Sequence, residues 1–135
     1  MKGDIPSLKW MIWFCHQRFL NAETMTRDRN LQLEMKVVAL TERVMYCEKA
    51  MALGLDQSYY AMTSCWNLSS IFETLPVTSA TYETQNNALN GIVKYARLFL
   101  ESGYDDPDLI GDAKNLLWKF ESIAKLFNEM GPPKA

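Results

Sequence analysis

The chain is predicted to be all-α, an antiparallel bundle of about five helices: four long ones plus a shorter apolar N-terminal helix. Three observations carry this. Apolar residues recur in alternating steps of four and three over most of the length. Alternating runs of strand type are absent. Between the periodic stretches stand helix punctuators, among them Gly54, Pro76, Gly103 and the pair Asp106-Pro107. At 135 residues, 48% apolar and 22% charged, the chain is long and apolar enough for one globular domain spanning 1–135.

The first helix is expected from about Pro6 to about Leu20, with Asp4 near its start and proline tolerated in its first turn. Leu8, Trp10, Met11, Ile12, Trp13, Phe14, Cys15, Phe19 and Leu20 cover nearly its whole circumference. Such a helix is normally buried or covered by a partner. A second helix is expected from about Thr24 to Leu53. Its seam is Leu33, Val37, Leu40, Val44, Cys47 and Met51, which Leu31, Met35, Val38 and Met45 widen. Arg27, Arg29, Lys36, Glu42, Arg43 and Lys49 mostly fall elsewhere, on a solvated face. Gly54 ends this helix, because glycine enters the left-handed conformation without a Cβ penalty.

Asp56 is placed to cap a third helix, which reaches Leu75 and stops at Pro76. Its seam is Ala61, Cys65, Leu68, Phe72 and Leu75. Thr78 or Ser79 is expected to cap the fourth, with the seam Leu89, Ile92, Ala96 and Phe99 and an end at Ser102-Gly103. Asp106-Pro107 opens the fifth, a carboxylate cap followed by proline at the first helical position. Leu109, Ala113, Leu116, Phe120, Ile123, Phe127 and Met130 give that helix its seam. Connections this short leave sequential helices side by side.

The middle of the chain is poor in charge. Between Asp56 and Lys94 the only charged residues are Glu73 and Glu83, and Gln57 through Phe72 has none. Small hydroxyls and Asn interleaved with Tyr59, Tyr60, Met62 and Trp66 suit two situations. One is a helix contacted on several sides within the bundle. The other is a protein interface, where charge is depleted and large aromatics and Met are enriched; a small-molecule groove stands beside these as a further alternative.

Sites for chemistry require particular residue types at particular spacings. Cys15, Cys47 and Cys65 have no C-x-x-C spacing, and an odd count suits a reducing compartment. Cys47 and Cys65 fall on apolar helix faces and are expected in the core. The apolar run Trp10–Cys15 is too short for a membrane span or a signal core. A cytoplasmic location is expected. With a single histidine, His16, no zinc or di-iron ligand spacing exists. Adjacent residues on a helix point about 100° apart, which sets Cys15 and His16 badly for a nucleophile–base pair. A calcium loop begun at Asp106 fails where Ile110 and Leu117 replace oxygen ligands, so Asp105, Asp106, Asp108 and Asp112 read as helix capping. No cofactor, no metal and no catalytic residue is expected.

Fourteen bases against sixteen acids, net −2, argue against a dedicated nucleic-acid binder. The expected function is a non-enzymatic interaction module that binds another protein, a second copy of itself, or both. Adaptors, chaperones, immunity proteins and phage or mobile-element inhibitors fit that description. Tyr59, Tyr60, Met62, Trp66, Trp10 and Trp13 are the expected contact residues. Two alternatives stand beside it: a nucleic-acid-associated regulator using Arg18, Arg27 and Arg29, and an enzyme of unrecognised type.

Overall fold

A computed structural model describes residues 5–133, with side chains from Ser7 onward. Asp4, expected near the first helix start, lies outside the described residues. The described residues form five helices and no strand: α1 (Ile5–Met25), α2 (Arg29–Ala52), α3 (Gln57–Thr74), α4 (Tyr82–Glu101) and α5 (Pro107–Met130). No helix among them is long and apolar enough to cross a membrane.

Each helix packs against the next in sequence, and the pairings run in opposite directions. Along α1 and α2, the Ile12 carbonyl meets Arg43 whereas Glu23 meets Lys36. Along α3 and α4, Ser58 meets Ser102 whereas the Phe72 carbonyl meets Gln85. Antiparallel neighbours follow from connections too short to pass around another helix.

α3 holds the centre. It packs on α2 and α4 along its length. Tyr60 joins Ile12 of α1, and Phe72 meets Phe120 of α5 edge-on at 5.7 Å. Of its residues only Tyr59, Trp66 and Glu73 are exposed, one narrow stripe at seven-residue spacing. Its missing charges therefore reflect burial. Ser58, Thr63, Ser64 and Asn67 lie inside, where a Lys or Glu would lose its hydration. A Cβ on Gly91 of α4 would stand 2.7 Å from Leu68 Cδ1, so glycine there leaves room for the end of the Leu68 side chain.

The helix ends follow the expected chemistry in most places. Gly54, at φ 80°, sits in a Schellman turn in which Leu55 N donates to Ala50 O and Gly54 N to Met51 O. Asp56 accepts from Tyr59 N, and Asp106 accepts from Asp108 N and Leu109 N ahead of Pro107. Three boundaries differ. α1 continues to Met25 because nothing between Leu20 and Thr24 stops a helix, so at 21 residues it is not the shorter helix expected, being longer than α3 with 18 and α4 with 20. α2 starts at Arg29 because Asp28 accepts from Asn30 N and Leu31 N and is the true cap. α4 starts at Tyr82, since Thr78 and Thr81 bond each other in a preceding turn and Thr81 makes no side-chain cap.

The seam of α4 is buried as expected, that of α3 is buried at Ala61 and Cys65 and half-buried at Leu68, Phe72 and Leu75, and Cys15, Cys47 and Cys65 all lie in the core. Two expectations for α2 are overturned. Leu31, Val38 and Met45 do not widen its buried seam; they are exposed on the opposite side. Arg43 is no solvated residue either. It is half-buried, donating through Nε to Ile12 O and through Nη1 to Asn67 Oδ1, each at 3.2 Å, and so ties α1, α2 and α3 together.

Candidate functional site

α1 buries only one side, with Ile12, Cys15 and Ala22 turned inward. Trp10 and Trp13, each 55% exposed, point elsewhere. Trp10 stacks on Phe14 with ring centres 5.1 Å apart, and the Arg18 guanidinium lies 6.0 Å over the same Phe14 ring. Arg18 pairs with Glu42 of α2 at 2.6 Å. Beyond it Met25, Leu31, Met35 and Val38 line a shallow groove of about 220 Å³, rimmed by Arg18 and Glu34. The exposed Leu31, Val38 and Met45 stand at seven-residue spacing and form one stripe along α2. Together with Trp10, Phe14 and Met25 they give the α1–α2 hairpin an apolar outer face that the other described residues leave exposed.

A second concavity lies between α1 and the start of α3. Its volume is about 470 Å³. Spacings of four and three put Lys9, Trp13 and His16 on one stripe of α1, roughly 100° around the helix from Trp10. Opposite stand Tyr59, 54% exposed, and Tyr60, which packs edge-on to it at 5.0 Å. Arg43 reaches in from α2, and Ile12 and Leu55 supply apolar walls. Burial, then the nearby Arg43 charge, holds His16 below its ordinary range. Burial, reinforced by Cys47, Tyr59 and Asp56, pushes the Tyr60 phenol up.

The expected contact residues thus divide. Trp13, Tyr59 and Tyr60 meet at this groove, Tyr60 as part of its inner wall. Trp10 belongs to the hairpin face. Trp66, 48% exposed, lies apart beside Asp112, Leu116 and Lys119 of α5. Tyr60 and Met62 are corrections: at 5% and 2% exposure they pack against Ile12, Cys47 and Ala50, and against Tyr95 and Phe99, respectively. Met62 thus lies inside the core, and Tyr60 presents only its part of the groove's inner wall. The largest exposed aromatic, Trp118 at 77%, was not singled out from the sequence. Its absence from the α5 seam was the available signal.

The other candidates also find their places. Burial pushes the Cys15 thiol up, the Cys47 thiol to about 11 and the Cys65 thiol to about 12, which makes each a poor nucleophile. No group of three His, Cys, Asp or Glu side chains among the described residues is arranged to hold a metal ion. Arg18 is engaged by Glu42 of α2. No protein-family model, no curated protein and no solved structure matches this chain.

Proposed function

We propose that this protein is a non-enzymatic interaction module that binds another protein through the outer face of its α1–α2 hairpin. The supporting observation is the stripe Leu31, Val38 and Met45 beside Trp10, Phe14 and Met25, all exposed although the chain has a well-filled core elsewhere. Removing such a face from water is favourable by roughly 25 cal/mol per Å² of apolar surface. An amphipathic helix or helical hairpin of a partner matches its shape, with the Arg18–Glu42 pair and Glu34 setting the register at the rim. A second copy of the hairpin is one such partner. Adaptor, chaperone, immunity and inhibitor roles all work through a face of this kind.

Light scattering over a dilution series, on wild type and Val38→Glu, tests the reading. A wild-type mass near twice 15.5 kDa that falls to the monomer in the variant makes the face a homodimer interface. A monomeric wild type directs the search to a heterologous partner, whose binding Val38→Glu must abolish with helicity unchanged. Association of either kind that survives Val38→Glu and Leu31→Glu together rejects the proposal.

A further inference from the structure

We infer that the groove between α1 and the start of α3 is a binding site for a small anion, a phosphate or carboxylate, that carries an aromatic ring. This inference does not depend on the hairpin-face reading, because the two surfaces lie on different sides of α1. A volume of about 470 Å³ suits a small organic molecule.

The charge inside the groove is lopsided. Lys9, His16 and Arg43 face a single carboxylate, Asp56, whose Oδ1 is occupied by the Tyr59 backbone N–H at 3.1 Å. Every ion pair among the described residues lies elsewhere, and none of those residues gives Lys9 or Arg43 an acidic partner within ion-pair distance. The guanidinium is also held in position. Nε and Nη1 are bonded to Ile12 O and Asn67 Oδ1, which fixes the plane and leaves Nη2 without a bond among the described residues. A cation whose orientation is set before the ligand arrives loses little freedom on binding.

The aromatic part of the ligand follows from the walls. Trp13 and Tyr59 flank the opening and are each more than half exposed, while Tyr60, Ile12 and Leu55 line the apolar interior. A flat ring between Trp13 and Tyr59 leaves its anionic substituent near Arg43, Lys9 and the His16 ring. Stacking of this sort adds about 0.5–1.5 kcal/mol, so a ring should improve affinity up to roughly tenfold over the bare anion.

The single histidine makes the test direct, since its ring resonances are unambiguous in a proton NMR spectrum. Phenyl phosphate, inorganic phosphate and phenol are titrated in turn. The groups facing His16 are Lys9, Arg43, Asp56, Tyr59 and Tyr60; an anion bound among them favours the imidazolium and raises the His16 pKa. Saturable shifts with phenyl phosphate, weaker ones with phosphate and none with phenol support the site. Lys9→Gln should weaken phenyl phosphate about tenfold, and Trp13→Leu should reduce it to the affinity of phosphate. Both positions are exposed, so loss of fold is not expected to confuse the result. A short peptide containing phosphotyrosine separates two sources of the same chemistry. Affinity equal to phenyl phosphate supports a free small molecule, and markedly tighter binding overturns that assignment in favour of a side chain of a partner. A His16 titration unchanged by millimolar phenyl phosphate, or binding indifferent to both substitutions, overturns the site itself.

Discussion

Gln85 in the first turns of α4 is fully buried and donates from Nε2 to the carbonyls of Leu75, at 2.8 Å, and Phe72, at 3.2 Å. A side chain of the following helix thus satisfies carbonyls at the end of α3 that have no partner within their own helix. Thr81 completes the joint by donating to Pro76 O at 2.5 Å. Gln85→Leu keeps the volume but leaves those carbonyls unpaired in an apolar setting, which should cost about 1–3 kcal/mol. Urea unfolding of the variant measures it. A midpoint equal to that of wild type would mean that water reaches these carbonyls.

Arg43 joins three helices through two hydrogen bonds, and lysine cannot reproduce that fork. Arg43→Lys is therefore expected to lose about as much stability as Arg43→Met, roughly 1–3 kcal/mol in each case. Full rescue by lysine would reduce the role of Arg43 to its charge.

Tyr60 and Trp66 lie on the same helix and should respond oppositely to a charge. Tyr60→Glu places a carboxylate against Ile12, Cys47 and Ala50, with a penalty above about 3 kcal/mol and loss of helicity by circular dichroism. Trp66→Glu changes an exposed position and should leave helicity and midpoint close to wild type. Equal damage from both would contradict the placement of α3.

The buried thiols set the alkaline limit of stability. An unfolded thiol ionises from about 9.0, whereas burial keeps Cys47 protonated to about 11 and Cys65 to about 12. The unfolded state therefore releases these protons first. The contribution is complete below the unfolded pKa and is lost as pH rises toward the folded values. Burial pushes the Tyr95 phenol up as well, and Tyr95 donates to Glu48, so it acts in the same direction. Urea midpoints at about pH 8 and about pH 10 should fall with pH, and less in the Cys47→Ala/Cys65→Ala double variant. A thiol reagent should label the native protein slowly and the unfolded protein at once.

The caps form a simpler series. Asp28→Ala and Asp106→Ala each remove a carboxylate that accepts two backbone N–H groups, at a cost of about 1 kcal/mol. Thr81→Ala tests the turn before α4 rather than a cap. A larger loss there than at either aspartate would show that the turn holds α3 and α4 in place.

By itself the sequence determined the helices, because helix period, glycine stops and aspartate caps act over a few neighbouring residues. The Gly54 turn, the Asp56 and Asp106 caps and the seam Leu89, Ile92, Ala96 and Phe99 were all legible in this way. Tertiary structure decided which side of each helix is covered. α2 carries two apolar stripes, one through Leu40 and Cys47 and one through Leu31, Val38 and Met45, and the period alone does not rank them; the neighbours α1 and α3 cover the first and leave the second exposed. The same holds for the charge-poor α3, whose composition suits a core or an interface equally until α2 and α4 pack along it and Ile12 of α1 and Phe120 of α5 close on its two ends. Arg43 and Gln85 were out of reach for a related reason. Their partners Ile12, Asn67, Phe72 and Leu75 are on other helices, and only the packed bundle brings those groups within hydrogen-bonding distance.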